Sequence, residues 1–379
     1  MSSDKTESHT APLRVAIAGL GVVGGEVARQ LTHRADAMKA PTVRGFEIVA
    51  VSARSRDTDR GFDISNIDWY EDAAALATRD DVDVIVEMIG GHDGVALELV
   101  KTSLSRGIHV VTANKALLAH NGTELARLAE ESGAALMFEA AIAGGIPAVK
   151  ALREGLVGNS FSRVSGILNG TCNYILTTMR ETGRGFDDVL SEAQELGYAE
   201  ADPTFDVDGI DTAHKLALLA SVAFGTEVDF GSVHVEGIRH ITADDIEFAD
   251  ELGFRIKLLG IANHTASGIE KRVYPCMVPL DAPLAHVEGV FNAVVAECDA
   301  VGTSVLQGRG AGAGPTASAV ISDIVDVARG TILPVFSVPA SRLEIEKSVS
   351  LDTRKGPYYV RLTVLDRPGV IADVSAALK

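Results

Sequence analysis

The run at residues 197–215, GYAEADPTFDVDGIDTAHK, places Glu200, Asp202, Asp206, Asp208 and Asp211 ahead of a single lysine and continues into the apolar LALLASVAFG. Apolar residues at helical spacing (Leu216, Leu219, Ala220, Ala223) predict a buried amphipathic helix from about Gly209, with Asp208 as its N-cap. On such a helix Asp211 and Lys215 are one turn apart and share a face. An amine on a core helix beside carboxylates is suited to proton transfer, because burial and neighbouring charge tune it. The same pattern also describes a solvated ion pair behind an acidic cap. Asp202, ahead of Pro203, fits a turn residue.

A second lysine stands where a ligand could face it. Thr112-Ala113-Asn114-Lys115 closes the apolar run 109–112, and Met88-Ile89-Gly90-Gly91 closes the run 82–88. If these runs are parallel strands, both segments lie at the carboxyl edge of the sheet, where open α/β sheets bind ligands. The alternative for Lys115 is a surface lysine at a strand end.

The elements that must position these groups begin at residues 13–18, LRVAIA, a β-rich run followed at once by Gly19-Leu20-Gly21-Val22-Val23-Gly24 and the helical GEVARQLTHRAD. With a strand before and a helix after, each glycine acquires a role: Gly19 for the tight turn, Gly21 for backbone approach to a pyrophosphate, Gly24 for close packing of helix on strand. Alternation continues through 46–52, 82–88, 109–112 and 135–138, with helical patterns at 95–106 and 123–132 between them. The fold class is therefore α/β, a Rossmann-type doubly wound parallel sheet. The second strand ends in Ser52-Ala53-Arg54-Ser55-Arg56 rather than in an acidic residue. An arginine there meets a ribose 2′-phosphate, so Arg54 favours NADP over NAD, a solvated loop charge being the other reading.

Composition narrows the partners. The 379 residues are 46% hydrophobic and 23% charged, enough for two or three globular domains. A net charge of −18 without a basic cluster argues against nucleic acid and acidic membranes, and for a small ligand. Cys172, Cys276 and Cys298 are scattered, without the spacing of a disulfide framework or a zinc site, which fits a cytoplasmic setting. Residues 1–11 are expected to be a disordered polar tail, and no apolar run is long enough to span a bilayer.

Together these segments resemble the homoserine dehydrogenases. The resemblance rests on the N-terminal GxGxxG, TANK at 112–115, EAAIAGGIP at 139–147, ILNGTCNYIL at 167–176, the acidic run at 197–215 and GRGAGAGPTASAVISDI at 308–324, in that order. It implies NAD(P)-dependent interconversion of L-homoserine and L-aspartate 4-semialdehyde, with Lys215 as the proton-transfer group and Lys115 and Asp211 assisting. It also implies Glu200, Asp206 and Asp211 as substrate carboxylates with Tyr198 and Thr171 lining the site. On the cofactor side it implies the 19–24 loop together with Gly90, Lys115, Gly197, Gly310 and Gly312. A sodium ion is implied near Glu139, held by the carbonyls of Ile142, Gly144 and Ile146, hard oxygen donors that suit such a cation. Glu139 at the end of a buried strand, bonded to amides of the following Gly-Gly turn, is the alternative.

The resemblance sets the expected organisation: a nucleotide domain at 12–146, an α+β substrate and dimerisation domain with a mixed sheet at 147–308, and a helix from 317 to 328, within 309–350, that returns to the first domain. Strands are expected at 162–167, 251–262 and 269–278. Residues 356–379 look like the opening strand and helix of an ACT domain, too short to complete one, and truncation of a longer chain is favoured. A homodimer is expected, or a homotetramer through ACT domains in a longer chain. Two rivals remain: another Rossmann amino acid dehydrogenase, and a silent nucleotide- and amino acid-sensing module.

Overall fold

The computed structural model describes residues 11–34, 44–345, 347–349, 356–365 and 367–379. The expected tail therefore lies outside the described residues except for Ala11.

Six parallel strands form the first sheet: β1 (Leu13–Ala18), β2 (Phe46–Ser52), β3 (Asp68–Tyr70), β4 (Val84–Glu87), β5 (His109–Thr112) and β6 (Leu136–Met137). Their order is β3-β2-β1-β4-β5-β6, so the strand order reverses between β1 and β4. That reversal opens a crevice at the carboxyl ends of the two strands, the ligand position of doubly wound sheets. Helices α1 (Val22–His33), α2 (Gly94–Ser105) and α3 (Lys115–Ser132) connect the strands. β1 and β4 are almost entirely buried, as strands covered on both faces must be.

The second sheet is mixed, ordered β12-β11-β7-β9-β10-β8, with β8 (His234–Val235) parallel to β10 and all other pairs antiparallel. Its remaining strands are β7 (Phe161–Ile167), β9 (Phe254–Thr265), β10 (Gly268–Pro279), β11 (Phe291–Cys298) and β12 (Gly302–Arg309). A short α4 (Glu139–Ala143) leads out of the first domain, and α5 (Gly170–Thr182), α6 (Phe186–Glu195), α7 (Ile210–Phe224) and α8 (Ala243–Glu251) belong to the second. Helix α9 (Ala313–Ala328) returns to the first sheet, where Ala317, Val320 and Ile324 join the core formed by Val27, Leu31 and Val86.

Several expectations need correction. The strand expected at 251–262 starts at Phe254, because Glu251 closes α8 and the chain turns through Gly253 at φ +83°. Glu139 opens a helix instead of ending a strand, since β6 stops at Met137. Helix α3 starts at Lys115, eight residues before the apolar pattern at 123, because Asn114 caps it: its Oδ1 accepts the Leu117 amide at 3.0 Å. Helix α9 likewise starts at Ala313 rather than 317. The strand expected after Pro357 does not form: residues 357–365 have no assigned strand and are exposed, lacking a pairing edge, although helix α10 (Val370–Ala377) is present.

Candidate active site

The glycine loop after β1 has the geometry that close packing demands. A Cβ on Gly24 would lie 1.9 Å from the Gly19 carbonyl oxygen, and one on Gly19, at φ +95°, would lie 2.5 Å from that of Met88. Helix α1 therefore abuts both switch-point strands, while Gly21 faces open space and Val22 is 79% exposed at the helix N-terminus. Backbone amides at such a terminus suit a pyrophosphate.

Lys115 is fixed by a chain of hydrogen bonds that starts at Glu87, a fully buried carboxylate at the end of β4. Its Oε1 accepts the Ile89 and Gly90 amides at 2.7 and 3.1 Å, and its Oε2 the Thr112 hydroxyl at 2.6 Å. The Thr112 oxygen accepts the Asn114 amide at 2.9 Å, and Asn114 Nδ2 donates to the Gly91 carbonyl at 2.7 Å. Strand ends β4 and β5 are thereby tied together at the crevice, and Lys115 begins the helix that leaves it.

Lys215 comes from the other domain. Its Nζ donates to Asp211 Oδ2 at 2.7 Å and to the Leu168 carbonyl at 2.8 Å. Lys115 Nζ lies 3.2 Å from the other oxygen of the same carboxylate, Asp211 Oδ1. Asp211 thus bridges two ammonium groups, one from each domain. Asn169 Nδ2 completes the cluster, donating to Asp211 Oδ2 at 2.9 Å and to Asp206 Oδ1 at 2.8 Å. Burial alone would raise the Asp211 carboxyl; Lys215 and Lys115, with the hydrogen bonds from Lys215 and Asn169, outweigh it and hold the group well below the usual carboxylate range. Asp206 goes the other way: burial and the neighbouring Asp211 carboxylate raise it.

Aromatic and imidazole rings flank this cluster. Lys115 Nζ lies 5.7 Å from the Phe205 ring centroid, and His214 packs against Phe205, Phe230 and His120 across the domain joint. Burial, with His120 and Lys115 beside it, lowers His214 to about 4, so the imidazole is neutral at physiological pH.

The sequence-predicted residues divide. Lys115, Lys215, Asp206 and Asp211 meet in one cluster. Asp208 is not the cap of α7: Gly209, at φ +84°, occupies that position, and the Asp208 carboxylate pairs with Arg239. The left-handed glycine turns the chain so that Asp208 ends the preceding turn (Thr204–Val207) and faces away from the helix amides. Asp202 behaves as the expected turn residue, accepting the Thr204 amide at 3.1 Å. Glu200 stands on an exposed loop, joined to the rest through its backbone carbonyl, which accepts from Gln194 at 2.9 Å. Gly197, at φ +75°, and the half-exposed Tyr198 share that loop, and Thr171 donates its hydroxyl to the Tyr198 carbonyl at 2.6 Å. Arg54 is exposed in the segment after β2; the neighbouring, partly buried Arg60 donates to the Leu20 and Ser55 carbonyls.

Around Glu139 the amides that the carboxylate accepts are those of Val149 and Lys150, at 2.8 and 2.9 Å, not those of the Gly144-Gly145 turn. Burial and the adjacent Asp323 raise Glu139 to about 7. Gly144 packs against Gly310, so that a Cβ on Gly144 would lie 2.2 Å from the Gly310 oxygen, and Gly312, at φ +107°, opens α9. The 310–312 loop therefore sits against the Gly144-Gly145 turn, with Gly308 against Ile146. Two residues of this machinery carried no expectation: Glu87, signalled only as a lone carboxylate closing the apolar run at 82–88, and Asn169, signalled by its N-cap spacing to Cys172.

The profile described as "Homoserine dehydrogenase" matches residues 147–325, and the one described as "Homoserine dehydrogenase, NAD binding domain" matches residues 19–139. A homoserine dehydrogenase of Pseudomonas aeruginosa is 45% identical over 375 residues, covering 97% of this chain and 85% of that protein. The chain belongs to the homoserine dehydrogenase family. It is accordingly an oxidoreductase with a nicotinamide-cofactor domain. Among solved structures, a homoserine dehydrogenase from Thiobacillus denitrificans superposes with a TM-score of 0.90 at 40% identity, covering 97% of this chain and 86% of the other. A hyperthermophilic archaeal homoserine dehydrogenase in complex with NADPH superposes with a TM-score of 0.72 at 28% identity, covering 84% and 98%. No helix among the described residues is long and apolar enough to cross a membrane.

Proposed function

We propose that the chain interconverts L-homoserine and L-aspartate 4-semialdehyde with NADP or NAD, using Lys215 as general acid and base. The observation that carries this reading is the Asp211 carboxylate shared by Lys115 and Lys215 across the domain joint. A bound nicotinamide supplies or accepts the hydride. As negative charge develops on the substrate oxygen, Lys215 delivers the balancing proton, and it takes that proton back in the oxidation direction. An ammonium has three hydrogens; Asp211 and the Leu168 carbonyl engage two, leaving the third for the substrate oxygen. Lys115, with one contact to Asp211, adds a second positive charge toward that oxygen.

Asp206, together with Glu200 from the exposed 197–203 loop, holds the substrate ammonium, and Asp211 orients both lysines. Thr171 and Tyr198 keep the 197–203 loop against the start of α5. The loop at 19–24 receives the pyrophosphate, Gly90, Gly197, Gly310 and Gly312 border the cofactor, and Arg54 favours NADP. A sodium ion at Glu139 and the carbonyls of Ile142, Gly144 and Ile146 fits what surrounds it: the donors are all oxygen, and Glu139, raised by burial, gains from a cation. Its role is to brace the joint and no chemical step passes through it. The acting form is read as a cytoplasmic homodimer.

The test is direct. Absorbance of reduced nicotinamide is followed with L-homoserine and NADP, then NAD, and in reverse with the semialdehyde. Turnover with homoserine and NADP is expected; none with either cofactor refutes the reading.

A further inference from the structure

We propose that Asn169 is a positioning residue: it sets the spacing of Asp206 and Asp211, and so the geometry in which Asp206 holds the substrate ammonium while the reacting oxygen meets Lys115 and Lys215. This rests on the homoserine dehydrogenase reading above. Asn169 is 95% buried at the turn between β7 and α5. Its carboxamide cannot flip. Oδ1 accepts the Cys172 amide at 2.8 Å as the N-cap of α5, so Nδ2 must face the carboxylates.

The two hydrogens of that one amino group go to two carboxylates in different situations. Asp211 is neutralised by both lysines, whereas Asp206 makes no ion pair with any described residue. Asp206 is faced by Asp211 and Lys215 from α7, by Lys115 from α3 and by Cys172 from α5, whose Sγ donates to the Asp206 carbonyl at 3.3 Å. Without a donor between them, the buried Asp211 and the half-buried Asp206 carboxylates would face each other with like charge. With it, Asp206 keeps its charge and its Oδ2 is left for an incoming ammonium. The preceding residue belongs to the same device, because the Leu168 carbonyl takes one hydrogen of Lys215. A two-residue turn therefore registers the proton donor and both carboxylates on one rigid sheet end.

Two variants separate positioning from folding. Asn169→Ser keeps an oxygen for the helix cap but does not reach the carboxylates. Asn169→Asp keeps the cap and the shape but turns an oxygen toward them. For Asn169→Ser, kcat/KM for homoserine is expected to fall about 10- to 100-fold, carried mainly by KM, with the cofactor KM unchanged. The acid limb of its kcat/KM profile moves to higher pH, because Asp206 loses a donor that favours its charged form. Asn169→Asp loses more, and its deficit widens as pH rises and the new carboxyl ionises. Parental KM and pH profile in Asn169→Ser overturn the proposal. So does a loss confined to kcat that tracks a lowered melting temperature with an unmoved profile. Failure of the functional reading is distinguishable, since the parent enzyme itself would then not turn over homoserine.

Discussion

Replacing Lys215 by methionine or alanine isolates the proton-transfer step, and the surroundings of the amine set how much else is disturbed. The Nζ makes two contacts, to Asp211 and to the Leu168 carbonyl. Removing it leaves Asp211 paired with Lys115 at 3.2 Å and bonded to Asn169 at 2.9 Å, so the buried carboxylate is not stranded. Losing one charged hydrogen bond in this setting costs about 1–3 kcal/mol of stability, less in Lys215→Met, which fills the stem's volume. Losing a positioned acid costs about 10²- to 10⁴-fold in rate, or about 3–5 kcal/mol of transition-state stabilisation. The kinetic loss therefore exceeds the structural one. Cofactor titration and thermal melting should be nearly parental while single-turnover hydride transfer slows about a hundred-fold or more. Small primary amines should restore part of the rate in Lys215→Ala and none in Lys215→Met, whose side chain occupies the space. Turnover within a few-fold of the parent, or a rate loss matched by loss of cofactor affinity, would refute the assignment of Lys215 as proton donor.

Three other outcomes follow from the geometry. Gly24→Val should abolish cofactor binding, since its Cβ would overlap the Gly19 carbonyl at 1.9 Å and push α1 off the switch point; a titration matching the parent would contradict the glycine argument. Sodium chloride should raise the melting temperature over potassium chloride at equal ionic strength, and Glu139→Gln should remove the difference; equal melting in both salts speaks against the cation. Asp211→Asn bears on acid stability. The folded Asp211 carboxyl lies below its unfolded value, so its contribution is present above about pH 4 and is lost as pH falls further. Denaturant unfolding of the variant and the parent should thus converge from about pH 4 downward, and a gap that stays constant would show that the charge is not what stabilises.

How far the sequence predicted this site depended on whether the deciding force was local. The bounds of β1, β2 and β5 are legible because apolar β-rich runs end at glycine or at polar turns. Lys115 and Lys215 are legible as residues at the ends of such patterns. The start of α7 is not, because Asp208 and Gly209 both suit a helix end, and the choice falls to Arg239, a distant residue that draws the carboxylate away. Strands β11 and β12 also escaped, since their register comes from pairing across the sheet with β7 and each other. Nor does spacing within one element show that Asp211 serves two lysines, because Lys115 reaches it from the opposite domain. An i,i+4 ion pair on a helix is ordinarily worth little. Here its carboxylate is 5% exposed and takes a second ammonium from across the joint. Closing the two domains is therefore what completes the charge balance on which the proposed chemistry depends, and any substitution that separates α3 from α7 should cost activity before it costs fold.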